Sequence, residues 1–415
     1  MVRQHPLVLL TILREREFSY FLSTRFLVIF SLYMQTTVLS YLLYKLTKDP
    51  LSLGLLGLAE VIPAFSVALF AGYFVDKNEK RTLYLRCILF YILNAIFFIV
   101  ITSQFFLQHY TVATISTFIY IGMFTSGCIR SFLAPSSFSL IPLLIKKTDM
   151  PNAITWSSTT WMLGSILGPL TAGFLMTFMS VTSILVITGI GLSLSSFFIF
   201  RIKPKEISLQ QDLGIIKSLK EGFRFVFKHQ IILAVLSLDL FAVLFGGAEA
   251  LLPVFSTDIL KVGEVGFGWL RSAHGIGSLL LFFILSYVPL KTQAGNKMMF
   301  SIIGFGLCII LFGISKNFYL SFVCLLVAGM FDGISVVTRH SVLQLETPSE
   351  MKGRVSSINM MFISSSNELG AFESGMAARL FGTVPSVVFG GIMTIIVVII
   401  TFFAAPKLRA LNKLT

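Results

Sequence analysis

Charge is scarce in this chain, and so are the residues that metal and redox chemistry need. Only 12% of the 415 residues are Asp, Glu, Lys or Arg, about half the share usual in a soluble domain, where about 25% is typical. With 55% hydrophobic residues, 42 phenylalanines and a mean hydropathy of +0.88, a soluble fold of this length is excluded. Cysteine is sparse as well. Cys87, Cys128, Cys308 and Cys324 all fall inside apolar runs with no metal-ligand spacing, so they read as small core residues and no metal or cofactor is expected. A nucleophile turn, a phosphate-cradling glycine loop and a His/Cys/Asp cluster are also missing, which argues against an enzyme. No alternating pattern suggests a membrane barrel.

What the chain has instead is apolar runs of bilayer length, a helix needing roughly 20 such residues to cross. They fall at 18–43, 51–75, 83–101, 110–133, 154–178 and 182–200, then at 231–255, 267–288, 297–314, 318–342, 355–378 and 384–405. The pattern predicts an all-α membrane protein of twelve spans, with one six-helix half over 1–200 and another over 231–415. Between them, 201–230 is polar. There Leu219, Phe223, Val226 and Phe227 recur at helical spacing among Lys217, Lys220, Arg224 and Lys228, which predicts an amphipathic helix on the inner membrane surface. The first run is longer than a signal peptide and lacks a cleavage site, so it is read as a retained span.

The net charge of +13 does not point to nucleic acid, because the basic residues cluster in alternate connections. Lys146, Lys147, Lys291, Lys297, Lys352, Arg354, Lys407, Arg409 and Lys413 fall on one side, against Lys45, Lys48, Lys261 and Lys316 on the other. By the positive-inside rule both termini are expected in the cytoplasm.

Three stretches and a set of intramembrane charges carry the functional reading. The first stretch is the turn Gly72-Tyr-Phe-Val-Asp76-Lys77-Asn-Glu-Lys80-Arg81, in which Asp76 is placed to latch onto a neighbouring helix or arginine, Arg130 among them. In the fifth span, Gly164, Gly168 and Gly173 offer a close-packing surface, and Pro169 bends the axis. The third stretch runs from Gln344 through Pro348 and Arg354, with Asn367, Glu368, Gly370, Glu373 and Gly375 following.

Inside the apolar runs lie Glu60, Asp239, Glu249, Asp332, Glu368 and Glu373, with Arg25, Arg271 and Arg379. Each ionised group at mid-helix costs roughly 2.5–3.5 kcal/mol on insertion scales, so the set implies pairing, protonation or a wet cavity. Glu60 and Asp239 are the leading proton carriers by depth, with Asp332 and Glu368 next. Glu249 is read as a brace to Arg271, and Arg25 and Glu373 as structural or path-lining charges. His274 is read as a packing histidine. Tyr33, Tyr41, Trp156, Trp161 and Trp269 are read mainly as core and interface aromatics.

The halves also echo one another. Leu46-Thr-Lys-Asp49-Pro-Leu-Ser-Leu-Gly54 parallels Ser256-Thr-Asp258-Ile-Leu-Lys-Val-Gly263, and Arg130 with Pro142 parallels Arg339 with Pro348.

Gly72 to Arg81 resembles the loop between the second and third helices of the major facilitator superfamily, complete at its charged positions. Gly164 to Gly173 resembles the antiporter motif of the superfamily's exporting branches, with Ala172 in place of one glycine. The stretch from Gln344 to Gly375 resembles bacterial exporters grouped with the enterobactin exporter. The resemblance implies two halves with a substrate path between them, alternating access, and proton antiport that exports a drug, siderophore or other amphipathic molecule. The implied partners are that small molecule, protons and membrane lipids, with a monomer in the bacterial cytoplasmic membrane. Two alternatives stay open: a non-transporting sensor or assembly protein on the same fold, and a lysophospholipid transporter.

Overall fold

The computed structural model describes residues 12–205, 215–288, 293–348 and 351–411. The long helices, in chain order, are α1 (Arg16–Thr47), α2 (Pro50–Lys77), α3 (Lys80–Ile101), α4 (Val112–Leu144), α5 (Met150–Leu175) and α6 (Val181–Phe200). A shorter amphipathic helix, α7 (Ile215–Lys228), follows where the 3.6-residue period predicts it. Then come α8 (Gln230–Gly246), α9 (Gly263–Tyr287), α10 (Ala294–Ile314), α11 (Phe318–Glu346), α12 (Lys352–Phe381) and α13 (Thr383–Ala404). Nine of the described helices, counting the run from Gln230 to Ile259 as one, are long and apolar enough to cross a membrane. The all-α membrane architecture read from the sequence is what forms.

The helices pack into two units. The first holds residues 1–46 and 62–211, the second 47–61 and 212–415. The first half of α2 therefore packs with the second unit, and the division falls at Ile62, beside Pro63 inside the helix.

Within the first unit, α3 shows how lipid inverts the usual pattern. Leu89, Phe90, Leu93, Ile96 and Val100 are exposed, while Tyr91 and Asn94 are buried. The Asn94 amide donates to Gly122 O at 3.1 Å and Ser126 Oγ at 2.9 Å, and the Tyr91 hydroxyl donates to Ser126 O at 3.1 Å. Hydrocarbon cannot satisfy a polar group, so these side chains turn inward and bond helix to helix. A Cβ on Gly164 would stand 3.0 Å from Phe30 N, and one on Gly168 2.8 Å from Phe30 O, so the glycine face of α5 seats directly on the α1 backbone.

The second unit repeats this device with other residues. A Cβ on Gly370 would stand 2.8 Å from Leu244 O, bringing α12 onto α8. A Cβ on Gly277 would lie 1.9 Å from Leu326 O, and one on Gly329 2.0 Å from His274 O, so α9 and α11 cross with their backbones in contact.

One expected span is interrupted. The apolar run 231–255 predicts a continuous helix, yet α8 stops at Gly246 and the chain proceeds through a 3-10 turn (Ala248–Leu251), one α turn (Leu252–Val254) and a π-helical turn (Phe255–Ile259). Two consecutive glycines lower the cost of leaving the helix. A Cβ on Gly246 would be 2.4 Å from the Phe305 ring, which leaves no room for a side chain there, while one on Gly247 would come no nearer than 3.3 Å, to Val243 O. Pro253 then removes a backbone donor. The fourth span, expected at 110–133, is also longer than its apolar core, because α4 continues through Pro135 and Pro142 to Leu144.

Candidate functional site

In the second unit the break after α8 brings three titratable side chains together. His274, on α9, lies between two carboxylates: Nε2 is 3.2 Å from Asp332 Oδ2 on α11, and Nδ1 is 3.6 Å from Glu249 Oε1 in the 3-10 turn. Asp332 is the central residue of α11, fourteen positions from Phe318 and fourteen from Glu346, so the cluster stands at mid-helix depth. The Phe305 ring meets the imidazole edge-on at 6.3 Å. A neutral imidazole donates through one ring nitrogen, whereas an imidazolium donates through both, so one proton decides whether His274 holds one carboxylate or two.

This grouping bears on two sequence readings. Glu249, expected beside Arg271, has His274 Nδ1 at 3.6 Å, and the Arg271 guanidinium lies 6.0 Å from the Phe267 ring centre one helical turn away. His274, read as a packing residue, is the centre of the cluster.

A second charged pair is fully buried. Arg339 Nη1 on α11 binds Asp239 Oδ2 on α8, and Ser335 Oγ donates to Asp239 Oδ1 at 3.2 Å. Asp239 is 5% exposed and Arg339 4%. Asp239, expected as a proton carrier, has its carboxylate bound by an arginine. The signal for Arg339 was present in its echo of Arg130, which is itself exposed on α4.

Glu368 projects from α12 toward α2, where its Oε2 lies 3.4 Å from the position a Cβ on Gly57 would take. Glu60 is three residues further along α2, and partly buried. Glu368 thus belongs to the contact of α12 with the first half of α2, the helix that also carries Glu60. Glu373 is half-buried on α12 beside Ser374, whose hydroxyl donates to Gly247 O at 3.2 Å. At one end of the same contact Arg379 binds Asp49 at 3.2 Å and Lys48 faces Asp258 at 3.8 Å. The last pair joins the two echoing turns, in each of which a lysine, Lys48 or Lys261, adopts φ 53°.

In the first unit Arg25 ties three helices. Its Nε donates to Ser157 O at 3.1 Å and Nη1 to Ser137 Oγ at 2.7 Å. The charged turn resolves into caps. α2 runs to Lys77 and α3 restarts at Lys80, leaving only Asn78 and Glu79 between them. Glu79 accepts from the amides of Arg81 at 3.0 Å and Thr82 at 2.6 Å, capping α3. Lys80 Nζ donates to Val75 O. Arg81 is buried and donates to Ile199 O at 3.2 Å and Phe200 O at 2.6 Å, the last carbonyls of α6.

Beyond α6 the Lys205 amide reaches Glu79 Oε1 at 3.0 Å, the Lys203 amide reaches Glu17 Oε1 at 3.1 Å, and Lys205 Nζ binds Glu17 Oε2 at 2.5 Å. Partial burial would raise the Glu79 pKa, but the hydrogen bonds from Thr82, Lys205 and Arg81 outweigh it and hold the carboxyl below the ordinary range. The side chain of Asp76 lies outside the described residues, so the latch assigned to it stays an expectation.

Among the described residues no group of three His, Cys, Asp or Glu side chains is arranged to hold a metal ion. In the His274 cluster the carboxylates sit on opposite ring nitrogens and do not converge.

Comparison with known proteins fits this picture. The chain is 22% identical over 292 residues to the enterobactin exporter EntS of Escherichia coli O1:K1, covering 70% of this chain and 69% of that protein. It matches the EntS of Shigella boydii serotype 18 to the same extent. Among solved structures, the POT family transporter PepTSo superposes with a TM-score of 0.75 at 13% identity, over 95% of this chain and 98% of that one. A point mutant of the nucleoside transporter NupG gives 0.69 at 15% identity, over 94% and 99%. These likenesses establish the fold. The Major Facilitator Superfamily family pattern matches residues 21–371, most of the chain, and this multi-pass membrane transporter therefore belongs to the Major Facilitator Superfamily.

Proposed function

We propose that the chain exports a small molecule across the bacterial cytoplasmic membrane, exchanging it for protons by alternating access, with both termini in the cytoplasm. The observation that carries the coupling is His274 set between Asp332 and Glu249 at mid-helix depth. A proton carrier has to change its bonding when it titrates, and this imidazole does so, because gaining a proton turns an accepting nitrogen into a donor. Asp239 serves as the buried brace for Arg339. Glu60 and Glu368, on facing helices, form the second proton-bearing contact.

Export, rather than uptake, draws support from the resemblance to EntS and from the antiporter-like glycine face of α5. The substrate class is a siderophore, drug or other amphipathic compound.

The test is efflux from proteoliposomes under an imposed pH gradient, using the compound that metabolite profiling finds depleted in medium when the protein is absent. Asp332→Asn is expected to abolish concentrative efflux while exchange without a gradient continues, since the amide mimics a fixed protonation state. Wild-type concentrative efflux by both Asp332→Asn and His274→Gln would remove coupling from this cluster and pass it to Glu60 and Glu368.

A further inference from the structure

The amphipathic helix α7 has two faces, and among the described residues only one is packed against protein. On the inner face Gly222 seats on α12, where a Cβ would stand 3.0 Å from Ile358 Cδ1 and 3.2 Å from Arg354 Cβ. Val226 is fully buried in a cluster with Ile232, Leu236, Leu343 and Ile358. At its end His229 Nε2 lies 3.5 Å from Glu346 Oε2, which ties the helix to the last residue of α11. The helix is thereby fixed at the ends of α11 and α12, and since α11 is long and apolar enough to cross a membrane, its end is where a bilayer would present its headgroups.

The opposite face carries Lys220, Arg224 and Lys228, four residues apart and all exposed, with Phe227 59% exposed among them. The only acid in α7 is Glu221, and Arg354 Nη1 takes its carboxylate at 2.6 Å. That pair offsets the charge of Glu221, whose side chain stays 46% exposed, and the described exposed residues beside it are Lys220, Arg224, Phe227 and Lys228, a net basic face. An open phenylalanine between basic side chains is the pattern of a helix lying in a membrane interface, its ring toward the acyl boundary and its cations at phosphate level.

We propose that the outer face of α7 is a binding site for anionic phospholipid, with Lys220, Arg224 and Lys228 on the headgroup phosphates and Phe227 seated beneath them. The partner is a lipid rather than an acidic protein because the face lies at the ends of membrane helices and carries an apolar ring in register with its charges. The site is independent of what the transporter carries.

The experiment uses the full-length protein in nanodiscs of mixed phosphatidylglycerol and phosphatidylcholine, with native mass spectrometry counting the lipids retained on release. The wild type is expected to keep phosphatidylglycerol preferentially. A variant combining Lys220→Gln, Arg224→Gln and Lys228→Gln is expected to lose that preference by roughly a hundredfold, since three interfacial cations are removed. Each single change is expected to lower it about fivefold. Phe227→Ser should reduce retention of both lipids without altering their ratio. All four side chains are exposed, so the variants should melt with the wild type; if the triple change lowers Tm, the single changes decide. A wild-type lipid ratio in the charge variants, or unchanged retention in Phe227→Ser, would overturn the proposal.

Discussion

Asp239 and Arg339 show what a buried charge costs in this protein. Breaking a buried pair by removing one partner typically costs about 3–5 kcal/mol, because the other charge is stranded, while replacing both by apolar residues is often neutral. Asp239→Leu and Arg339→Leu are each expected to lower Tm and the yield of folded protein, and the double substitution to recover most of the loss. Additive losses in the double variant would show that the pair is not a brace. The surface pairs Lys48–Asp258 and Arg379–Asp49 are more exposed and should each contribute about 1 kcal/mol or less.

Glu79 adds a pH dependence at the membrane surface. Its pKa is lowered in the folded protein, so its contribution is complete above the ordinary value of 4.5 and is lost as pH falls through the folded value. The Tm difference between wild type and Glu79→Gln should therefore be constant at neutral pH and shrink only in acid below the ordinary range. A difference that grew with acidification would contradict the cap.

At the scale of elements, backbone contact between helices decides which glycines matter. A Cβ on Gly277 would meet the Leu326 carbonyl, which cannot swing aside as a side chain can, so Gly277→Ala should push α9 and α11 apart and disturb the His274–Asp332 bond. The expected cost is at the upper end of the 1–3 kcal/mol typical of overpacking. Gly353→Ala, with nothing within 4 Å, is the neutral control. Thermal melts of the two proteins in one detergent check both.

The helices themselves were legible in the sequence because a bilayer demands about twenty apolar residues and little else meets that demand. The break after Gly246 was not, since a glycine pair reads equally as packing, and what crowds Gly246 is the Phe305 ring, far along the chain. The His274 cluster was hidden for a similar reason. Its three members were each visible as intramembrane polar residues, but periodicity says nothing of which helix faces which. The charged turn was recognised as a motif, while its work as a set of caps on α3 and α6 depends on carbonyls that only folding supplies.

For the whole molecule, the orientation inferred from loop charges is open to a direct check. Single cysteines at Asn78 and Lys228 in a cysteine-free background should react only with a reagent that enters the cell, and those at Gly263 and Lys316 from outside; external labelling of Asn78 would reverse the assignment.

The allegiance of residues 47–61 to the second unit has a consequence during synthesis. These residues leave the ribosome early, but Asp49 binds Arg379, which is made 330 residues later. At about 5–20 residues per second this leaves the first half of α2 waiting roughly twenty to sixty seconds for its neighbours. Gly54 and Gly57 lack their α12 neighbours throughout that interval, since the Phe372 and Ala371 backbone facing Gly54, and the Ala371 Cβ and Glu368 carbonyl facing Gly57, do not yet exist. The second unit therefore completes itself only when its last residues meet its earliest segment, and a gene split within 206–214 should yield a C-terminal fragment that is degraded when made alone and rescued when the N-terminal fragment is made beside it.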